Sequence, residues 1–515
     1  MALLSTLFTL AACGGGGGDS APYVPPPPPQ PPPEVPVDGP PWFGFARNAQ
    51  HSALGEIASQ ALTTLWWSTP VDLAPPYTSA GALLAHYGSP VITRANTVVL
   101  PVKTGANAFR IEARVGASGR LLWSQDTSYR LPPHNWVPSL NPVLTPDRRV
   151  LVPASGGRVL ERSDADAATG AWRTLVFYGT AAYDAAPGTY DAAVTINTPL
   201  TSDSQGNVFF GFRTTGANPA GLTGGIARLG ADGSARWVEA AFVAGDAAMV
   251  KTATNSAPAL SPDEAVLYVV VNNLPAAGGR AVGRLLALDA GTLAARAAVT
   301  LIDPLSGTPA WVNDNASSSP TVGPDGDVYI GVLEANAPTG HGFTGWLLHF
   351  NAALTQTRTP GGFGWDNTAS IVPRAMLPQY TGPSSYLLAL KFNSYSDGEH
   401  HVSIVDPNAT QPDRLAPTVP VMRQLISVRG PTGNYNGVGV KEWCINTAAV
   451  DPLTSSVLMN SEDGQLYRWH LPSNTLAERI RMNNGYAQSY TPTAIGADGR
   501  IYAVNNATLF SIGAS

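Results

Sequence analysis

The residues best suited to chemistry in this 515-residue chain are Asn, Asp, Glu, His, Trp and Tyr side chains that precede a series of similar β-strand patterns. Aromatic faces and fixed polar groups in a concave site suit a sugar, a peptide or a planar cofactor. We therefore predict a ligand-facing set made of His134, Asn135, Trp136, Asn197, Asn255, Asn313, Asp314, Trp365, Asp366, Asn367, Glu442, Trp443, Asn446, Tyr486 and Tyr490. The alternative is structural, because Asn and Asp also hold turns and Trp fills gaps between sheets.

Two short stretches carry reactive groups without the spacing that catalysis or metal binding needs. The run from Lys441 to Asn446 contains Cys444, but no histidine adjoins it to act as a base. A lone Cys in a β protein is usually a small buried apolar residue. Neighbouring strand residues point to opposite faces, so His400 and His401 do not form a metal site, and we expect a solvated loop there. The sequence identifies no catalytic residue and predicts no metal site.

The N-terminus has the features of an exported lipoprotein. Residues 3–12 form an apolar run too short to span a bilayer, and it ends at Cys13. The sequence Leu10-Ala11-Ala12-Cys13 resembles the bacterial lipobox, in which a peptidase cuts before a cysteine that carries lipid. No Lys or Arg precedes the run, which departs from that pattern. By resemblance to enterobacterial lipoproteins, Gly14 implies a bacterial envelope location at the outer membrane, with the lipid as membrane anchor.

A low-complexity segment follows Cys13. It contains a glycine run (14–18) and a proline-rich run (25–33), which make a tether that cannot bury apolar surface. We therefore predict a signal peptide over residues 1–12, a lipidated cysteine and disordered tether over 13–40, and a folded domain over 41–515.

The composition points to an all-β domain. Only 13% of the residues are charged, while the chain contains 52 Gly and 46 Pro, which favours short strands and many turns over helices. The net charge is −6 and no basic run is present, which argues against a nucleic-acid partner. Lysine occurs only at positions 103, 251, 391 and 441, which we attribute to genome composition.

An internal repeat sets the fold. Each copy has small polar residues, a proline, a short apolar run, a turn and an alternating β run, and the copies recur about every 55–60 residues. The shared prolines are Pro90, Pro142, Pro199, Pro258 and Pro320, with a last clear copy at Thr491 and degenerate copies near Thr368 and Thr447. Four short antiparallel strands repeated about eight times predict a single β-propeller of eight four-stranded blades.

The two ends of the domain predict how the ring closes. The last copy has only three strands and ends near Gly513, whereas a lone strand pattern, residues 62–68, stands before the first copy. Pairing this N-terminal strand with the last blade would close the ring and remove its open edges. An array of two-sheet sandwiches is the alternative.

The repeat resembles the quinoprotein-alcohol-dehydrogenase-like propeller superfamily, over residues from about 42 to 513, and the opening run Trp42–Ser52 looks like its lead-in. This superfamily includes eight-bladed pyrroloquinoline quinone (PQQ) dehydrogenases and the propeller lipoprotein of the outer-membrane β-barrel assembly machine. The resemblance implies PQQ with Ca²⁺ as an alternative to having no cofactor. The dehydrogenases have two adjacent cysteines beside the cofactor, whereas no two cysteines are adjacent in this chain.

The predicted function is that of a non-catalytic binding or scaffold module, monomeric and tethered in the envelope, for a protein, a peptide or a glycan. Insertions at 178–194, 376–384 and 406–440 would shape its surface. The alternative is an enzyme with a site at the channel mouth, either a quinone-dependent oxidoreductase or one that cleaves polysaccharides or esters. A propeller fold does not decide between them, since propellers carry many functions.

Overall fold

The structure is a computed structural model that describes residues 29–30, 34–78, 83, 85–132, 140–275, 280–314, 318–337, 340–434, 437–485 and 488–515. The predicted signal peptide, Cys13 and most of the tether lie outside the described residues. So do four of the predicted ligand-facing residues, His134, Asn135, Trp136 and Tyr486.

The domain consists of eight antiparallel sheets, which are the blades of a propeller. The first strand, β1 (Thr64–Pro70), belongs to the last blade. Blades 1 to 4 follow along the chain. Their strands are β2 (Val91–Ile92), β3 (Thr97–Gly105), β4 (Ala108–Val115) and β5 (Leu121–Thr127); β6 (Val143–Leu144), β7 (Val150–Pro153), β8 (Arg158–Arg162) and β9 (Trp172–Val176); β10 (Val194–Ile196), β11 (Thr201–Ser202), β12 (Val208–Thr214), β13 (Gly225–Leu229) and β14 (Ala235–Glu239); β15 (Lys251–Thr252), β16 (Ala259–Leu260), β17 (Val266–Asn272), β18 (Gly283–Asp289) and β19 (Ala295–Thr300).

Blades 5 to 8 repeat the plan, and in blade 8 strand β1 supplies the outermost strand by pairing antiparallel with β34. Their other strands are β20 (Thr321–Val322), β21 (Val328–Val332), β22 (Trp346–Phe350) and β23 (Thr357–Gly361); β24 (Ser370–Pro373), β25 (Tyr386–Asn393), β26 (His400–Pro412) and β27 (Pro420–Arg429); β28 (Ala449–Asp451), β29 (Ser456–Asn460), β30 (Gln465–His470) and β31 (Thr475–Arg481); β32 (Ala494–Ile495), β33 (Ile501–Asn505) and β34 (Thr508–Gly513). The predicted eight-bladed ring and its closure by the N-terminal strand are confirmed.

Burial follows position within the blade. The innermost strands are short and fully buried, whereas the outermost strand β31 alternates exposed and half-buried residues. Both degenerate copies form complete blades, which are blades 6 and 7. The insertion at 178–194 contains the helices α1 (Thr180–Ala185) and α2 (Pro187–Ala193), and a third helix, α3 (Ala240–Ala244), follows blade 3. Two 3₁₀ turns occupy Ser155–Gly157 and Arg374–Met376.

Residues 42–60, which we call the strap, circle one end of the central channel. Their backbone carbonyls accept hydrogen bonds from the second residue of six innermost strands, in blade order. The pairs are Ile92 N to Trp42 O (2.9 Å), Leu144 N to Phe43 O (2.8 Å), Leu260 N to Ala49 O (2.7 Å), Val322 N to Gln50 O (2.9 Å), Ile371 N to Ser52 O (3.0 Å) and Val450 N to Ala53 O (2.9 Å). The strap then leads into β1. The segment that contacts the innermost strands and the strand that closes the ring are therefore continuous in the chain.

The strap adopts a costly backbone conformation. Four of its non-glycine residues have positive φ angles: Ala46 (47°), Arg47 (82°), His51 (57°) and Ala53 (55°). Each such residue costs about 1 kcal/mol and persists only where its surroundings fix it. The interblade hydrogen bonds supply that constraint, and the strap therefore belongs to the core of the ring.

Candidate functional site

The strap defines two faces of the ring. It contacts the ends of the innermost strands, so we call that end the strap face. Because neighbouring strands are antiparallel, the second strand of each blade ends at the opposite end, where the connections between blades also lie. We call this end the mouth face. All four lysines of the chain lie at the mouth face, and all are buried.

Asp366 and Lys391 form an ion pair at the mouth face. Asp366 lies in the connection between blades 5 and 6, and Lys391 lies near the end of β25. Their exposed fractions are 4% and 1%. Burial raises the pKa of Asp366 to about 6, against the opposing effect of Lys391, and nearby Glu442 adds to the rise.

A second pair joins Lys251 to Asp314. The Lys251 ammonium donates to Asp314 Oδ1 at 2.7 Å and to Asn272 Oδ1 at 2.7 Å. Thr254 N and Asn272 Nδ2 both donate to the same Asp314 oxygen at 3.0 Å. Burial opposes ionisation of Asp314, but Lys251 outweighs it and lowers the pKa of that carboxyl. The Asp314 carboxylate is therefore held as an anion by a fixed network.

A third pair lies where blade 8 meets blade 1. The Lys103 ammonium is 3.2 Å from Asp72 Oδ2, and the Tyr87 hydroxyl donates to the same oxygen at 2.8 Å. Lys103 and Lys391 both stand two residues before the end of the second strand of their blade, and each pairs with an Asp of the connection that enters that blade. The mouth face therefore has the same arrangement of a buried Lys–Asp ion pair at blade 1 and at blade 6.

Glu442 and Asn446 lie beside the Asp366 pair. Asn393 Nδ2 is 3.3 Å from Glu442 Oε2 and 3.2 Å from the carbonyl oxygen of Trp443. Asn446 Nδ2 donates to the carbonyl oxygen of Asp366 at 2.9 Å and to the Tyr490 hydroxyl at 2.7 Å. Glu442 is half-buried, so it presents a carboxylate at the edge of this cluster. The structure therefore brings the predicted residues Asp366, Glu442, Asn446 and Tyr490 together.

The central channel is nearly filled at this end. The Tyr490 ring stacks on the His86 ring, with centroids 3.7 Å apart and planes 4° apart. Both rings line a channel cavity of ≈ 10 Å³, together with Phe45 of the strap and Asn255. A cavity of that size holds about one water molecule. Around this cavity, aromatic rings and polar side chains fill the channel.

The other predicted asparagines connect neighbouring parts of the ring. Asn197 Nδ2 donates to Thr252 O at 2.9 Å, and Asn197 Oδ1 accepts from the Thr252 hydroxyl at 2.7 Å, which joins blade 3 to blade 4. The Asn313 side chain accepts from Ala281 N at 3.1 Å. The Asn367 carbonyl accepts from the Ser318 hydroxyl at 2.6 Å. These groups fix the positions of the blades.

The two predicted tryptophans and Cys444 lie in the interior. Trp365 is 2% exposed and Trp443 is 0% exposed, each within an apolar cluster between blades. The Cys444 thiol is also buried and lies 3.4 Å from Gln488 Oε1. The expected solvated loop at His400 and His401 is wrong, because both residues begin β26 and pair with β25.

The lysines are what sequence reasoning missed. Their scarcity was attributed to composition, yet three of the four form ion pairs with aspartates at the mouth. The signal was present in the sequence, because each of these lysines stands in or beside an apolar strand pattern, where a cation needs a buried partner.

The side chains at the mouth face can bind a ligand or transfer a proton. No group of three or more His, Cys, Asp or Glu side chains arranged to hold a metal ion occurs among the described residues. Within the same residues, no helix is long and apolar enough to cross a membrane. Asp366 and Glu442 are carboxyls in different environments, which is the arrangement that separates an acid from a base. The fixed amides around them equally suit recognition of a polar ligand.

No protein-family model and no curated protein sequence matches this chain. Among solved structures, BamB from Moraxella catarrhalis has a TM-score of 0.43, with 12% identity covering 87% of this chain and 98% of BamB. Sqt1 from Saccharomyces cerevisiae has a TM-score of 0.49, with 10% identity covering 89% of this chain and 100% of Sqt1. Quinohemoprotein alcohol dehydrogenase from Comamonas testosteroni has a TM-score of 0.47, with 13% identity covering 92% and 81% of the two chains.

These likenesses concern overall architecture, so the fold assignment rests on the eight sheets themselves. The chain is an eight-bladed β-propeller, which is the architecture that its resemblance to quinoprotein-alcohol-dehydrogenase-like propellers predicts.

Proposed function

We propose that this chain is a lipid-anchored envelope protein whose propeller binds a protein partner through the mouth face. The observation that carries the proposal is the distribution of exposed apolar side chains. Among the described residues, most of the large ones lie on mouth-face connections, whereas Val35, Leu121 and Leu453 lie on the strap face. The mouth-face residues are Leu73, Tyr77, Phe242, Leu274, Ile302, Leu305 and Val438.

Exposed apolar side chains on one face suit a protein partner better than a glycan or a nucleic acid. Phe242 on α3 is 78% exposed, and Leu274 is 59% exposed. A protein partner that docks on this end of the rigid ring would bury these side chains. Lys103, Lys251 and Lys391 are buried in ion pairs, so their ammonium groups are not available to an acidic polymer.

The path of the chain agrees with an anchor at the opposite end. Residues before the strap reach the ring between blades 8 and 1 at the strap face, where Gly39 N donates to Arg94 O at 2.9 Å. An anchor at Cys13 would therefore pull on the strap face and leave the mouth face directed away from the membrane. The tether could span several tens of ångströms in an extended polyproline conformation.

The partner is tested by site-specific photocrosslinking in the bacterium that encodes the chain. A photoreactive phenylalanine analogue is placed at Phe242 or Leu274 on the mouth face, with Leu453 on the strap face as the matched control. We expect one discrete crosslinked protein, the same from both mouth positions and missing from the control. Crosslinks that are equal from Leu453, or missing at both mouth positions, would contradict the proposal.

Substituting Cys13→Ser should release the protein from the membrane fraction.

The enzyme alternative is favoured by one observation, the raised pKa of Asp366 beside Glu442. For the quinone version, the channel cavity of ≈ 10 Å³ between described residues does not fit a planar three-ring cofactor, since ligand pockets hold about 300–1,000 Å³. Thermal unfolding with and without PQQ plus Ca²⁺ tests that version. For hydrolysis, loss of turnover in a folded Asp366→Asn or Glu442→Gln variant would favour the enzyme over the binding module.

A further inference from the structure

A cavity lies where blade 6 faces blade 5, away from the channel. It has a volume of ≈ 430 Å³, within the range of small-ligand pockets. The hairpin of β26 and β27 is the longest in the ring, and its far half reaches over the outermost strand of blade 5. Its bulge between Asp406 and Thr410 bends the hairpin. The cavity is the space enclosed beneath this bend.

The lining of the cavity is mixed, because the polar side chains of Ser403, Gln411 and Gln424 share it with an apolar group and with one buried carboxylate. Leu390, Phe392, Val405 and Met422 line it. Asp413 lines it too, although this residue is only 3% exposed. The carboxylate is not sealed off by protein atoms, because its Oδ2 stays accessible at the cavity wall.

The hydrogen bonds of Asp413 all go to one of its two oxygens. Oδ1 lies 2.8 Å from His341 Nε2 and accepts from the backbone N–H groups of Leu415 and Ala416, each also at 2.8 Å. Oδ2 lies beside Gly362 at the cavity wall, and no described residue donates a hydrogen bond to it. Burial opposes ionisation, but the His341 and backbone hydrogen bonds outweigh it and lower the pKa of Asp413.

The cations around the cavity are engaged elsewhere. Arg414 donates to Asp397 Oδ2 at 2.9 Å and lies over the Phe392 ring. His401 is 3.4 Å from Glu399, whose carboxylate also accepts two hydrogen bonds of 2.7 Å from Arg429. The cavity therefore offers an anionic oxygen next to the apolar side chains of Leu390, Phe392, Val405 and Met422.

We propose that this cavity binds an organic cation with an apolar body, such as an arylalkylammonium ion, whose N–H donates to Asp413 Oδ2. The same chemistry is available from a free amine or from a lysine side chain of another protein. The apolar side chains would bury the carbon skeleton, and the ion pair would form out of bulk water, where it is strong. The site does not depend on the partner proposed for the mouth face.

The test titrates the full chain with phenethylammonium chloride, followed by ligand-observed NMR, with 2-phenylethanol as the neutral match. Nα-acetyl-lysine N-methylamide distinguishes a protein side chain from a small amine. We expect saturable binding of at least one ammonium probe, at least about tenfold tighter than the alcohol, which corresponds to 1.4 kcal/mol. No binding of either ammonium probe, or equal binding of phenethylammonium and the alcohol, would overturn the proposal.

Substitution separates the site from general effects on folding. Asp413→Asn keeps the side-chain shape and should weaken phenethylammonium binding at least about tenfold. Asp303→Asn is the matched control, because Asp303 is equally buried and accepts backbone hydrogen bonds in a similar turn. Should Asp413→Asn fail to fold, Gly362→Ala serves instead, since its Cβ would lie 2.6 Å from Oδ2, which is too close, and would push the carboxylate out of its position at the cavity wall. Unchanged binding in the folded variant would contradict the assignment.

Discussion

The ring nitrogen Nδ1 of His51 lies 2.7 Å from the carbonyl oxygen of Pro320, and this contact joins the strap to the innermost strand of blade 5. The imidazole is 1% exposed. Burial lowers its pKa from 6.5 to about 4, although the hydrogen bond to Pro320 opposes the shift. His51 therefore links the stability of the strap to pH.

We expect His51 to reduce the stability of the ring in mild acid. With a folded-state pKa near 4 and an ordinary value of 6.5, the unfolded chain binds more protons between these values, so stability falls as the pH falls through that window. The loss from pH 7 to pH 5 should be about 2 kcal/mol. Urea unfolding of wild type and His51→Gln at both pH values measures it, because the other titrating groups cancel in the comparison. Parallel pH profiles for the two proteins would contradict this assignment.

Trp42 should be the most sensitive apolar position of the strap. It is 2% exposed, and its backbone bonds to Ile92 in blade 1. Trp42→Ala would leave a large cavity beside the strap, and we expect a loss of about 3–5 kcal/mol in the free energy of unfolding. Trp66→Ala is the control, because Trp66 is only half-buried in the outermost strand of blade 8. Urea denaturation followed by circular dichroism compares them, and equal losses would argue against the strap as part of the core.

Cys444 should behave as a buried structural thiol. It is 1% exposed, and Cys444 Sγ is 3.4 Å from Gln488 Oε1. Reaction with a thiol reagent requires access and a thiolate, so we expect Cys444 to be modified only in denaturant. Mass spectrometry of the labelled Cys444 peptide, with and without urea, makes the measurement. Rapid labelling of the native protein would show an accessible, reactive cysteine.

The sequence predicted the ring because the repeat is local. Each blade is written in consecutive residues, and even the degenerate copies at Thr368 and Thr447 kept enough alternation to form full sheets. Closure by β1 was also predictable, since the last copy lacks one strand and an unpaired pattern stands before the first.

The site was harder to predict because its contacts cross between blades. Lys251 and Asp314 are 63 positions apart, and their pairing depends on how two neighbouring sheets stack. The path of the strap was equally hidden, since its hydrogen bonds are made by backbone groups that carry no residue-specific signal. Asp366 and Glu442 were chosen from their position before a strand, which identified the correct end of the ring but not their neighbour Lys391 in β25.

The Lys391 pair allows a direct test of how the mouth is held together. Lys391→Met would leave Asp366 as a buried carboxylate without its cation, and we expect a loss of about 3–5 kcal/mol. Adding Asp366→Asn removes the unpaired carboxylate, so the double variant should recover part of the lost free energy of unfolding. Asn also tolerates the positive φ of 49° at this position. Because the two residues touch, the double-mutant cycle should give a coupling energy of about 2 kcal/mol or more. Arg94→Met, which breaks the exposed pair with Asp38, should change stability little. A coupling energy near zero would mean that the mouth is held by packing and hydrogen bonds alone.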